Sequence, residues 1–282
     1  MSGLIPDQLQ ACALQGLQAC DPDEKIRLTQ ALRRAWMAGQ LHLADLDAPA
    51  AEPMPAPGRP ALPRLVSPRT LAQRGLGTLQ GRQALVHAVA HIELNAVDLA
   101  LDALYRFRGM PPAFYQDWID CADDEARHFV MVRQRLRAMG SDYGQFDAHN
   151  GLWEMACRTA DSLLARMALV PRVLEARGLD VTPGMITRLQ AVGDDDTVAV
   201  LEVILREEVA HVKAGTRWFR HACDLEGREP IETFLGLVRQ HMGTQLRGPF
   251  NRPARVEAGF LEEELDRLAK LALEPPGAAP SV

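Results

Sequence analysis

The sequence predicts an all-α fold, and three observations carry that reading. Strand signals are nearly absent: aromatic residues make up 5% of the 282 residues, and alternating β-branched runs are missing. The long apolar patterns repeat instead at the helical period. Glycines and prolines fall between those patterns, where helices stop and start.

Taken in order, residues 5–45 read as two short helices broken near Asp21-Pro22-Asp23, with Asp21 or Asp23 as N-cap. Seven prolines between residues 46 and 68 (Pro49, Pro53, Pro55, Pro57, Pro60, Pro63 and Pro68) exclude a helix, because each fixes φ and removes a donor. That stretch reads as an extended strap. Four long helical segments follow. The first runs from Gln80 to Phe107 and stops at Gly109; the second runs from Pro112 to Met139 and stops at Gly140. A third runs from about Leu152 to Arg177 and stops at Gly178, unless its beginning serves as the crossover, since the link from Gly140 to Gly151 is short. A short helix after Pro183 ends at Gly193, and Asp194-Asp195-Asp196 supplies negative charge to the start of a fourth, which reaches Cys223. Pro171 should kink the third segment. One or two short helices close the chain.

Composition narrows the function classes. Formal net charge is −6, so no overall positive field recruits nucleic acid, and the arginine run Arg127, Arg133, Arg135 and Arg137 reads as a solvated face with acidic neighbours. No apolar run reaches the roughly 18 residues of a membrane span. The opening residues lack a basic segment before an apolar run, so a cytoplasmic protein is expected. Five cysteines without a CxxC pair read as free thiols.

Two motifs carry chemistry. Glu125-Ala126-Arg127-His128 and Glu208-Val209-Ala210-His211 each place a carboxylate and an imidazole about one helical turn apart, on one face. Both faces are apolar: Trp118, Cys121, Ala122, Phe129 and Val132 flank the first, and Leu201, Ile204, Leu205 and Val212 the second. An uncompensated carboxylate there costs several kcal/mol, so something must offset it. Glu93 and Glu175 lie on the apolar stripes of the other two long segments. Glu125 follows Glu93 by 32 residues (125 − 93), and Glu208 follows Glu175 by 33 (208 − 175). The resulting Glu…ExxH pseudo-repeat, two Glu plus two Glu-x-x-His, matches a known di-iron and di-manganese carboxylate bundle pattern. Hard carboxylate oxygens with imidazole nitrogen suit iron or manganese. Glu207 is the alternative to Glu208. His87 and His91 turn to other faces and read as core or supporting histidines. Asp124 and Glu207, each directly before a motif glutamate, are placed to hold the ring nitrogen of the opposite histidine.

These residues resemble the metal ligands of the ferritin-like di-iron carboxylate superfamily. More closely, AHIELNAVDLALDALYRFRGMP, DDEARHF, LVPRVLEARGLDVTPGM and EEVAHVKAGTRWF resemble a bacterial ferritin-like family of unassigned biochemical role, over about residues 5 to 265. The resemblance implies a ferritin-like four-helix bundle at residues 80–223. N-terminal helices (1–45) would pack on it, followed by the Pro-rich strap (46–79) and, after the bundle, a C-terminal helical extension (224–282). It implies two divalent metal ions, iron with manganese as the alternative, held by Glu93, Glu125, His128, Glu175, Glu208 and His211. The expected activity is a non-haem oxidoreductase that activates O₂ to hydroxylate or oxidise a small organic molecule, with an external electron donor. A ferroxidase or a metal-stabilised interaction module are the alternatives. The expected partners include neither membrane nor nucleic acid, and at most a small homo-oligomer.

Overall fold

A computed structural model describes residues 7–45, 49–243 and 246–273, and they form an all-α bundle. Among the described residues there is no strand, only two isolated bridges. The chain divides into two compact units: the described residues up to Ala160 with Arg188–Val200, and Asp161–Thr187 with the described residues from Leu201 on.

In the first unit, α1 (Leu9–Gln18) and α2 (Pro22–Met37) form a hairpin. Asp21 caps α2 by accepting from the Asp23 and Glu24 amides, with Pro22 opening the helix. The long pair α3 (Leu79–Arg106) and α4 (Pro112–Ala138) is the core of this unit. Leu94, Val97, Leu101 and Leu104 of α3 are buried, as are Phe114, Trp118, Ala122, Phe129 and Val132 of α4. By length and composition α3 is apolar enough to cross a membrane, but 78% of its most apolar window is buried here. The hairpin of α1 and α2 packs on this pair through a buried ion pair, Lys25 with Asp98. The Lys25 ammonium also donates to the Gly16 and Leu17 carbonyls at 3.1 and 3.2 Å, satisfying the open end of α1. Between α2 and α3 the described residues of the Pro-rich segment form no helix apart from a 3₁₀ turn at Pro68–Thr70. Its Gly58 amide donates to the Leu17 carbonyl at 2.7 Å, and Val66 and Arg64 exchange backbone bonds with Ala148. The arginines of α4 meet acids: Arg133 pairs with Asp23 and Asp142, and Arg135 with Asp194 and Asp196.

The helix stops at Gly109, Gly140 and Gly193 are as read from the sequence, each glycine taking a left-handed φ of +70°, +80° and +71°. The third segment is not. A separate helix, α5 (Gly151–Arg158), packs on α3 in the first unit. The segment itself begins at α6 (Leu163–Leu169), capped by the Ser162 hydroxyl. It passes through a π-helical turn at Val170–Glu175 and runs on as α7 (Ala176–Gln190). Neither Gly178 nor Pro183 ends it. Proline at 183 cannot bond the carbonyl four residues back, that of Leu179; the Asn251 side-chain amide donates to that oxygen at 3.0 Å instead. The expected kink at Pro171 takes the form of the π turn, where a wider register absorbs the missing N–H.

In the second unit Pro171 lies against α8 (Asp195–Glu226) at Gly215, where any Cβ would come within 2.3 Å of the proline ring. Only glycine permits that approach. Helices α9 (Pro230–Met242), α10 (Arg252–Glu257) and α11 (Glu262–Leu271) complete the unit. Their core holds Arg172, whose guanidinium lies 4.1 to 4.5 Å from the ring centroids of Phe219, Phe234 and Phe260 and bonds Glu264 at 2.5 Å. Burial lowers the Arg172 pKa, the Glu264 charge opposing it. A buried guanidinium needs both a counter-charge and π faces to offset its desolvation, and this one has them.

Candidate metal centre

Glu93 projects from the middle of α3, and Glu125 and His128 from the middle of α4, all into the interior of the first unit. They are 3%, 2% and 0% exposed. The inward phase follows from the sequence, because each sits on the apolar stripe of its helix. His128 Nδ1 lies 3.3 Å from Glu93 Oε2 and 3.5 Å from Glu125 Oε2. The donor atoms of the three residues lie within 4.8 Å of one another. Burial by itself would lower the His128 pKa; the hydrogen bonds and charges of Glu125 and then Glu93 overcome it and push the value up to about 11. In the metal-free protein the imidazolium therefore holds the two carboxylates together. The same three groups, with the imidazole neutral, are a hard O,O,N donor set for a divalent cation. A metal fits the residues present.

In the second unit, Glu208 and His211 of α8 repeat the geometry of the α4 motif. His211 is buried, and its Nδ1 lies 3.7 Å from Glu208 Oε2, one turn back. Glu175 is the last residue of the π turn and is half-buried. Asp124 accepts from Arg127 at 2.6 Å, and Glu207 lies 3.6 Å from the adjacent Arg206 guanidinium.

His87 and His91 take part in a different network. His87 Nε2 accepts from the Gly144 amide at 2.9 Å, while His91 Nδ1 lies 2.9 Å from the Tyr143 hydroxyl and its Nε2 3.0 Å from the His149 carbonyl. Burial lowers both histidines to about 4, so both are neutral at physiological pH. Two arrangements escaped the sequence reading. Arg172 pairs with Glu264, 92 residues further on. Arg59, from the strap, bonds Asn95 and Asn150. Nothing local signals either pairing, since the partners meet only in the folded chain.

The family described as "Protein of unknown function (DUF455)" matches residues 18–266. An uncharacterized protein of Haemophilus influenzae is 39% identical over 259 residues, which span 89% of this chain and 90% of that protein. No solved structure matches the chain. With most of its length matched on both counts, the chain belongs to the DUF455 family.

Proposed function

We propose that the two ExxH helices close around one dinuclear centre of ferritin-like type, and that the protein is a non-haem oxidoreductase. Iron, or iron with manganese, is the metal proposed. Glu93, Glu125 and His128 would hold one side, and Glu175, Glu208 and His211 the other. The observation that carries this reading is the buried convergence of Glu93, Glu125 and His128. Two acids in an apolar core are a standing cost unless a cation offsets them. The repeated geometry at Glu208 and His211 supports a second half of the same kind, and the π turn at Glu175 is a backbone irregularity often found at functional sites.

When bound, such a metal pair would supply O₂ activation, passing to O₂ the electrons of an external donor. This chain's residues do the rest. The four glutamates and the two histidines would hold the ions, and Asp124 and Glu207 are the acids proposed to orient the imidazoles. The apolar wall around Glu125, including Ala122, Phe129 and Val132, excludes water from the reacting groups. The substrate proposed is a small organic molecule, hydroxylated or oxidised, with electrons from an external donor.

Anaerobic loading with ferrous ion followed by elemental analysis tests the reading, with two metals per chain expected. Less than one per chain with helical content intact overturns it. Exposure of the loaded protein to O₂ then assigns the substrate class. Uptake proportional to added ferrous ion would make iron itself the substrate; uptake that stops at the bound metal supports the oxygenase.

A further inference from the structure

A cavity of about 450 Å³ opens in the first unit beneath the strap, on the flank of α3. It is lined by Pro60, Leu62 and Pro63 of the strap, by His91 and Tyr143, and by Arg59 and Arg64. The two arginines differ in their partners. Arg64 is matched by a carboxylate, its Nε and Nη2 bonding Asp147 at 3.1 and 2.7 Å. Arg59 is half-buried, and its Nη atoms bond two neutral amide oxygens, Asn150 Oδ1 at 2.6 Å and Asn95 Oδ1 at 2.8 Å. Among the described residues no carboxylate forms an ion pair with it. Burial lowers its pKa, and Asp98, the acid whose charge counters this most, is committed to Lys25. The amides orient the guanidinium without neutralising it, and its fork keeps further N–H donors.

We propose that this cavity is a binding site for a small oxyanion, a carboxylate or phosphate group, received by Arg59. A partly desolvated guanidinium with no counter-charge gains most from a planar or tetrahedral oxyanion, which accepts two parallel bonds. The receptor is built in advance. The strap is pinned on both sides of the cavity, at Gly58 to Leu17 and at Arg64 and Val66 to Ala148, so its ordering is complete before a ligand arrives. His91, also on the cavity wall, lies 3.0 Å from the His149 carbonyl through Nε2 and 2.9 Å from the Tyr143 hydroxyl through Nδ1, so the phenol is held at the wall. The prolines and Leu62 supply an apolar rim for the ligand's carbon skeleton. This site is separate from the metal centre: His91 and Asn95 are each turned about 200° around α3 from Glu93.

Calorimetric titration of the full chain with inorganic phosphate and, separately, with succinate tests the proposal. Saturable binding of either probe at one per chain is expected, and the probe that binds names the ligand class. Arg59→Gln should weaken it at least tenfold, while Arg64→Gln changes it little. Ala61→Trp, at an exposed position of the cavity wall, should block binding with the melting temperature unchanged, so the outcome does not depend on Arg59→Gln folding. Glu125→Ala, which disables the proposed metal centre, should bind as wild type. No saturable binding of either probe below about 10 mM, wild-type affinity in Ala61→Trp, or loss of binding in Glu125→Ala would each overturn the proposal.

Discussion

His128 is a base held between two acids, and its titration follows from that position. Its pKa in the folded, metal-free protein is raised to about 11 from 6.5. Its charged form therefore contributes stability that is complete below pH 6.5 and is lost as pH rises toward 11. A metal ion must displace that proton, so apparent affinity should climb about tenfold per pH unit between 7 and 9. Titrations in buffers of different ionisation enthalpy would register the released proton, and a flat affinity over that range would contradict the assignment. Replacing the motif acids isolates their role. Glu125→Ala with Glu208→Ala should abolish metal binding yet leave the metal-free protein melting within a few degrees of the metal-free wild type, because Glu93 stays beside the His128 imidazolium and offsets part of the lost pairing. The removed groups are buried charges whose desolvation the fold must offset. A melting temperature several degrees below that of the metal-free wild type would show that the acids serve the fold instead.

Elements are decided by which backbone groups find partners, and the α6–π–α7 run shows how far those partners lie. The Leu179 carbonyl, orphaned by Pro183, is bonded by Asn251, which also caps α10 through its side-chain oxygen. Asn251→Ala should cost about 2 to 3 kcal/mol in urea unfolding, combining an unsatisfied buried carbonyl with a lost cap. Adding Pro183→Ala should recover part of that loss, because alanine restores an N–H facing Leu179; additive effects would refute the coupling. This pairing also explains what the sequence disclosed. The ends of α3 and α4 were legible because their signals are local: Pro112 opens a helix, and Gly109 and Gly140 adopt left-handed conformations that end one. The inward phase of Glu93, Glu125 and His128 was legible because periodicity is local too. Continuity through Gly178 and Pro183 was not, since its cause lies 72 residues away at Asn251. The pairing of Arg172 with Glu264 was hidden for the same reason, and with it the anchor of the π turn.

At the scale of the molecule, the question is what keeps the N-terminal hairpin and the Pro-rich strap with the helices that follow. The buried pair of Lys25 and Asp98 is one tie, its two side chains 2% and 3% exposed. Asp98→Asn leaves the ammonium without its anion and should cost about 3–5 kcal/mol. Replacing both, Lys25→Met with Asp98→Leu, should recover most of it, as read by denaturant midpoint; a double variant no more stable than Asp98→Asn would show that the ion pair itself holds the hairpin. The strap is the other tie. Its prolines limit the entropy lost on ordering, and its backbone bonds to Leu17 and Ala148 lie on either side of the Arg59 network. If those ties hold the segment in solution, a low-specificity protease should cut it only as fast as the hairpin and the α3–α4 pair open together. The first cleavage should then track global unfolding and slow with any change that raises the melting temperature. Rapid cutting within residues 50 to 65, releasing a fragment with unchanged melting, would show that the strap is a loose tether and that the hairpin contributes nothing to the stability of the rest.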